Sequence, residues 1–562
     1  MQKMKYRILA LVLAMSMLLT GCANVDFDGY FDGLQSVVEG EASSRDGGFD
    51  GFFDTLQSSV GDGAVVRYES MEYTRPDMTQ MEQTLQAACD AAAAGESVDT
   101  VMEAVYGFYE EYDWFYTCYN LADIRYSGDL TDIYWEKEYN YCMEKSAAVD
   151  AALEELYYAL AKSPLRQELE KPKYFGAGFF DSYDGENLWD ETFTAMLEQE
   201  AQLQNAYYEL STQSLDYELG SESYYDACAD DMAQLLVDLI RMRQEIAAYW
   251  GYTDYVQFAN DFYYYREFTP ADMEYYLAEI QEELVDLYRQ VDFGIWDVTW
   301  EYSSEEETLD FVRQAAKNMG GSIWEAFELL ETAGLYDITY SENKYNSSFE
   351  VYLTSYLEPF VFMNPTLSRY DCLTFAHEFG HFCNDYVSYG SYAGIDVLEI
   401  FSQGMEYLSL FYGENGEDLV QAKLADSLCT YVEQAAYAAF EQRMYALTGD
   451  DLSVEGLYGL YEEVAQAYGF ESMGYDKREF VTITHYYTNP MYIISYVVSN
   501  DAAMQLYQME LEETGTGLAW MENNLDTEVS YFLEFLQDSG LESPFAAGRI
   551  QQVRSIFEEA FA

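Results

Sequence analysis

The chain has 562 residues, 102 of them acidic and 27 basic, for a formal net charge of -75. That balance excludes nucleic-acid binding, which needs a positive footprint to displace counterions from phosphates. With 49% hydrophobic and 17% aromatic residues the chain is too apolar to stay disordered, and its length predicts two or three domain-sized units.

Lys3, Lys5 and Arg7 give a basic start, and Ile8 to Leu19 is an uncharged apolar run. It is short for a membrane span and has the layout of an export signal. Leu19-Thr20-Gly21-Cys22 follows. A cysteine directly after small residues resembles the bacterial lipobox, in which Cys22 is diacylated and becomes the mature N-terminus; two acyl chains suffice for a stable membrane anchor. This implies residues 1–21 as a lipoprotein signal peptide and a place in the bacterial cell envelope, outside the cytoplasm. The remaining seven cysteines are odd in number and form no C-x-x-C, which predicts buried thiols.

Residues 22–68 are rich in Gly, Ser and Asp, and predict an acidic tether. They hold a short repeat, Phe27 to Ser36 and Phe49 to Ser58, with too few copies for a solenoid. Beyond them the pattern is helical. Met81 to Ala94, Val98 to Leu121, Trp135 to Lys162 and Leu235 to Tyr249 repeat apolar residues every three or four positions. Thr269-Pro270-Ala271-Asp272 marks a helix start with a capping box. Phe349 to Asn364 breaks the pattern with short β-branched and aromatic runs, a small sheet ahead of the next helix. The expected fold is mostly α, a helical ellipsoid with a deep cleft and a minor β element. Its N-terminal helical region spans 69–265 and its catalytic region 266–562, and it is expected to be a monomer.

Asp371 to His381 contains H-E-x-x-H, as His377-Glu378-Phe379-Gly380-His381. Positions i and i+4 of a helix share a face, so both imidazoles can bind one zinc, and Glu378 can take a proton from the attacking water. Ser368 and Asp371 suit a capping box at the start of this helix. The whole chain has 3 histidines, so a chance match is rare. Catalytic zinc takes three protein ligands, and no third histidine follows at close spacing, so a carboxylate is needed; the stretch Asp396 to Glu406 offers several at helical spacing.

These residues resemble the oligoendopeptidase F and thimet oligopeptidase family of zinc metallopeptidases. Its catalytic helix reads H-E-x-G-H and a second helix reads D-x-x-E-x-x-S-Q-x-x-E, matched by Asp396, Glu399, Ser402, Gln403 and Glu406. The resemblance implies Glu399 as third ligand of one zinc ion, with Asp396 and Glu406 orienting the histidines. It also implies that His485, with Tyr492 or Tyr496, donates hydrogen bonds to the substrate carbonyl. Phe360 to Asn364 takes the place of an edge strand for an extended peptide, and short oligopeptides are the implied substrates. A peptide-binding lipoprotein without catalysis, or an exopeptidase of related fold, is the alternative.

Overall fold

The computed structural model describes residues 66–561 apart from 96, 185–189, 214–216, 218–219, 391–392, 471–473, 528 and 530. The export signal, Cys22 and the Phe27–Ser36 and Phe49–Ser58 repeat lie outside the described residues.

The helices begin where short polar side chains cap them. Asp77 accepts from Thr79 N–H at the start of α1 (Met78–Ala94), which closes on Gly95 at φ 61°. Ser97 caps α2 (Val98–Gly128) and Asp132 caps α3 (Ile133–Ala161). The three pack around an apolar cluster that runs from Met81 to Tyr183. α4 (Glu222–Tyr249) belongs instead to a larger cluster reaching to Phe557, to which Met71 and, from α2, Leu121 and Ile124 also contribute. The Thr269–Asp272 capping box forms as its sequence predicts, with both reciprocal bonds present. All seven described cysteines are free, six of them buried. No helix among the described residues is long and apolar enough to cross a membrane.

Three strands interrupt the helices, β1 (Tyr336–Asp337), β2 (Ser348–Leu353) and β3 (Glu358–Met363), in the order β1–β3–β2. β2 and β3 run antiparallel from Ser348 opposite Met363 to Leu353 opposite Glu358, while β1 lies parallel to β3. The expected edge strand is corrected here: Phe360 to Met363 lies in the middle of the sheet, and β2 is an outer strand. Near its end the Tyr352 carbonyl accepts from Asn120 Nδ2 of α2 at 2.9 Å.

β2 and β3 pack on α5 (Asp371–Ser388), which packs in turn on α6 (Ile395–Tyr412); α6 also packs on α7 (Ile493–Glu512). Only half of the expected capping box opens α5. The Asp371 carboxylate accepts from Ser368 N–H at 3.1 Å, but the Ser368 hydroxyl pairs with Thr366 rather than with Asp371 N–H. α6 is buried on every side from Asp396 to Leu410, as suits a helix at the centre of a large protein. Tyr389, at the end of α5, takes a left-handed φ of 58°.

Gly380 allows the two helices to meet. A Cβ at this position would come within 2.6 Å of Phe401 O and Ser402 Cα, both backbone atoms of α6. Gly380→Ala should therefore force α5 and α6 apart and lower stability by about 1–3 kcal/mol. Denaturant unfolding of the variant measures this, and an unchanged midpoint would disprove the close contact.

The core also holds carboxyls that burial pushes far up. Asp113 and Asp123 rise to about 7, and Glu433, Glu441 and Glu479 to about 8. The folded chain keeps these protons where the unfolded chain releases them, so stability is full below about pH 4 and declines as pH rises through 7–8. The melting temperature should fall between about pH 5 and pH 9. A flat or rising profile over that span would show these groups to be ionised in the fold.

Candidate metal centre

His377 and His381 stand one turn apart on α5, with ring centroids 5.2 Å from each other. α6 brings Glu399 up to them, its Oε2 lying 3.5 Å from His377 Nε2 and 3.9 Å from His381 Nε2. The three ligand atoms all lie within 4.8 Å of one another, and all three residues are buried. Two ligand atoms on one tetrahedral zinc are about 3.3 Å apart, so this set needs little movement to close on an ion.

The charges ask for a cation there. Glu399 accepts from Tyr492 Oη at 2.8 Å and from Ser402 Oγ at 2.9 Å, but no lysine or arginine among the described residues pairs with it. Burial pushes its carboxyl up, against the pull of His377 and these two hydroxyls. For His377, burial is outweighed by the Glu406 hydrogen bond and by the charges of Glu399, Glu378 and Glu406, which push it up to about 9. The field around its Nε2 thus favours positive charge. Burial, helped by His377, holds His381 well below its usual value, so it stays neutral, as a metal ligand must be. Two imidazoles and one carboxylate form a donor set suited to zinc.

Glu406 approaches His377 from behind, with Oε1 2.9 Å from Nδ1. A carboxylate there keeps the proton on Nδ1 and leaves the Nε2 lone pair for the metal. Burial would raise Glu406, but Lys423 Nζ at 2.7 Å and His377 hold it below its usual value. Asp396 does otherwise than its motif position implies. Its carboxylate is gripped by Arg266, with Nε at 2.8 Å and Nη2 at 3.0 Å, and it bonds neither histidine. Glu378 is buried beside His377, and its charge acts on His377 and on Glu350 of β2.

The third histidine joins the same cluster. The rings of His485, Tyr492 and Tyr496 lie 5.2 to 5.8 Å apart. Tyr496 Oη is 3.4 Å from His485 Nε2, whereas Tyr492 bonds Glu399, so the two tyrosines have different partners. Burial lowers His485 to about 3, which makes it a neutral imidazole, and its Nδ1 is buried without a hydrogen-bond partner among the described residues.

Lys423 and Arg266 escaped the sequence reading. Lys423 stands in an apolar helical stretch with Asp426 one turn on, a faint sign of a buried pair. Arg266 lies among aromatics just ahead of the Thr269 cap and gives no periodic signal.

Residues 68–186 match the Peptidase M3 N-terminal domain. None of the curated proteins matches the chain by sequence. Among solved structures, PZ peptidase A with an inhibitor is similar at a TM-score of 0.75 and 17% identity, over 88% of this chain and 98% of that one. A protein provisionally named oligoendopeptidase F gives 0.75 at 20% identity over the same shares. Another so named, from Bacillus anthracis strain Ames, gives 0.71 at 18% identity over 89% of this chain and 98% of its own. Residues 68–186 thus carry the M3 peptidase N-terminal domain, and the chain over most of its length shares the fold of these solved structures.

Proposed function

We propose that the chain is a zinc-dependent endopeptidase that cleaves short, unstructured oligopeptides. The observation that carries this reading is the buried His377–His381–Glu399 set, with Glu378 beside it and no lysine or arginine among the described residues on Glu399. Zinc held by these three residues supplies the Lewis acidity that such a hydrolysis needs. Glu378 accepts a proton from the attacking water on its carboxylate and passes it to the leaving amine. His485 and Tyr496 offer donors to the substrate carbonyl as negative charge grows on its oxygen. β2, an outer strand packed on α5, offers backbone groups with which an extended peptide can pair.

Protein lacking residues 1–22 should bind about one zinc per chain. His377→Ala and His381→Ala should abolish binding, and Glu399→Ala should weaken it strongly. Glu378→Gln should keep zinc and bind peptides while turnover falls about a hundred- to ten-thousand-fold. His485→Phe should lower kcat about a hundred- to a thousand-fold. Metal analysis and mass spectrometry of a mixed peptide digest, with and without chelator, read these outcomes. Full zinc without cleavage would leave a peptide-binding lipoprotein, and release of terminal residues alone would make the chain an exopeptidase.

We also propose that Cys22 carries a lipid that anchors the chain in the bacterial envelope; the support is the apolar run followed by Leu19-Thr20-Gly21-Cys22. The full-length protein should partition into detergent and Cys22→Ser into the aqueous phase. Detergent partition by both would remove the anchor.

A further inference from the structure

The segment from His485 to Tyr492 is mostly irregular. A four-residue helix, His485–Thr488, is followed by Asn489, Pro490 and Met491, and then by Tyr492 at the mouth of α7. Met491 is fully buried and has φ 67°, a left-handed conformation that a branchless but bulky residue rarely adopts. Such a backbone persists only where its surroundings over-determine it, and strain of this kind gathers at functional sites.

The surroundings here are two ionisable side chains, Glu441 and Arg266. Met491 N–H donates to Glu441 Oε1 at 2.7 Å, and Met491 C=O accepts from Arg266 Nη1 at 2.8 Å. Tyr264 Oη holds the Pro490 carbonyl at 2.7 Å, and the Arg266 guanidinium lies 4.1 Å over the Tyr264 ring. Arg266 uses its other donors on the neighbouring elements. Nε and Nη2 bind the two oxygens of Asp396 on α6, Nη2 also reaches Ser495 Oγ of α7 at 2.8 Å, and Nη1 reaches Asn260 Oδ1 at 3.2 Å. All five N–H groups of one buried guanidinium are thereby satisfied. Asp396 lies one turn before Glu399, and Met491 directly precedes Tyr492, whose hydroxyl holds Glu399 Oε1.

We propose that Arg266 is a positioning residue of the metal centre: by binding Asp396, Met491 and Ser495 together it fixes the Tyr492 hydroxyl on Glu399 Oε1 and so turns Oε2 toward His377 and His381. The inference rests on the zinc peptidase reading for its kinetic consequence and on the geometry alone for its effect on Glu399. Arg266 touches neither substrate nor metal ligand. It acts through the turn at Met491 and the first turn of α6.

Arg266→Lys keeps the charge that balances Asp396 but loses the planar fork, since an ammonium has only three donors for the five bonds that Arg266 makes. The variant, Tyr492→Phe and the double variant should be compared by chelator competition for zinc, by kcat and KM on an unstructured peptide, and by melting temperature. Arg266→Lys should weaken zinc binding and lower kcat about ten- to a hundred-fold, with KM changed by no more than about twofold. In the Tyr492→Phe background its further effect on zinc affinity and kcat should largely disappear, because the bond it serves is already gone. A purely structural role would lower the melting temperature and add its full effect to that of Tyr492→Phe. That additivity, or wild-type zinc affinity and turnover in Arg266→Lys, would overturn the proposal. If Arg266→Lys does not fold, Glu441→Ala removes the other bond to Met491 and is judged by the same cycle. If the wild-type protein cleaves no peptide, the peptidase reading fails while the zinc arm of the cycle still decides the positioning role.

Discussion

Glu399 places a carboxylate in the interior with no lysine or arginine among the described residues against it, and a buried charge left in that state is destabilising by several kcal/mol. Two hydroxyls and two imidazoles face it, and only one imidazole is inclined to carry a proton. The proposed divalent cation would relieve the deficit that these groups leave. The surrounding fold then follows from the need to bring one carboxylate against two histidines across a helix interface. α5 and α6 must approach until their backbones touch, which is why Gly380 has no side chain and why Phe401 and Ser402 present main-chain atoms to it.

Cations are scarce in this chain, and the core takes several of them. Lys423 is buried against Glu406, Arg266 against Asp396, Arg243 against Glu200, and Arg549 against Asp501. Both Arg243 and Arg266 also bind main-chain carbonyls of the segment that carries His485 and Tyr492, at Tyr486, Tyr487 and Met491. The arginine fork suits this work, since it can hold a carboxylate and carbonyls in one plane while remaining charged. The acids left without a basic partner inside, such as Glu433 and Glu479, accept hydrogen bonds from Tyr288 and Tyr461 and retain their protons instead. A chain with 56 tyrosines has many such donors at hand.

The parts of this arrangement that were legible in the sequence are those set by short-range spacing. His377 and His381 share a helix face because four residues separate them, and Glu399 and Glu406 share one on α6 because seven do. The helix start at Thr269 was legible for the same reason, since a cap acts over three residues. Asp396 lies on the same spacing, but its partner Arg266 is 130 residues away, and no local pattern reports that. The strand order was hidden likewise. Apolar residues run through Phe360 to Met363 whether the strand is central or at an edge, and only the pairing with both β1 and β2 settles it. That α2 gives Leu121 and Ile124 to one apolar cluster and Val101 to Tyr119 to another was hidden too, since periodicity shows a face without naming its neighbour.

The contrast between the two halves of the site explains where buried side chains had to take over from regular structure. His377, His381 and Glu399 stand within long helices, whose ladders satisfy the backbone groups around them and fix the side-chain directions. The segment carrying His485 and Tyr492 has no such ladder around Pro490 and Met491, because proline lacks an N–H and the left-handed residue breaks the helical path. Its main-chain groups are buried all the same, and buried backbone polar atoms must find partners. Glu441, Tyr264, Arg243 and Arg266 provide them from elements far apart in the chain. A turn fixed in this way can hold the Tyr492 hydroxyl at one point, whereas a fourth long helix would have set its direction by helix geometry rather than by the position of Glu399.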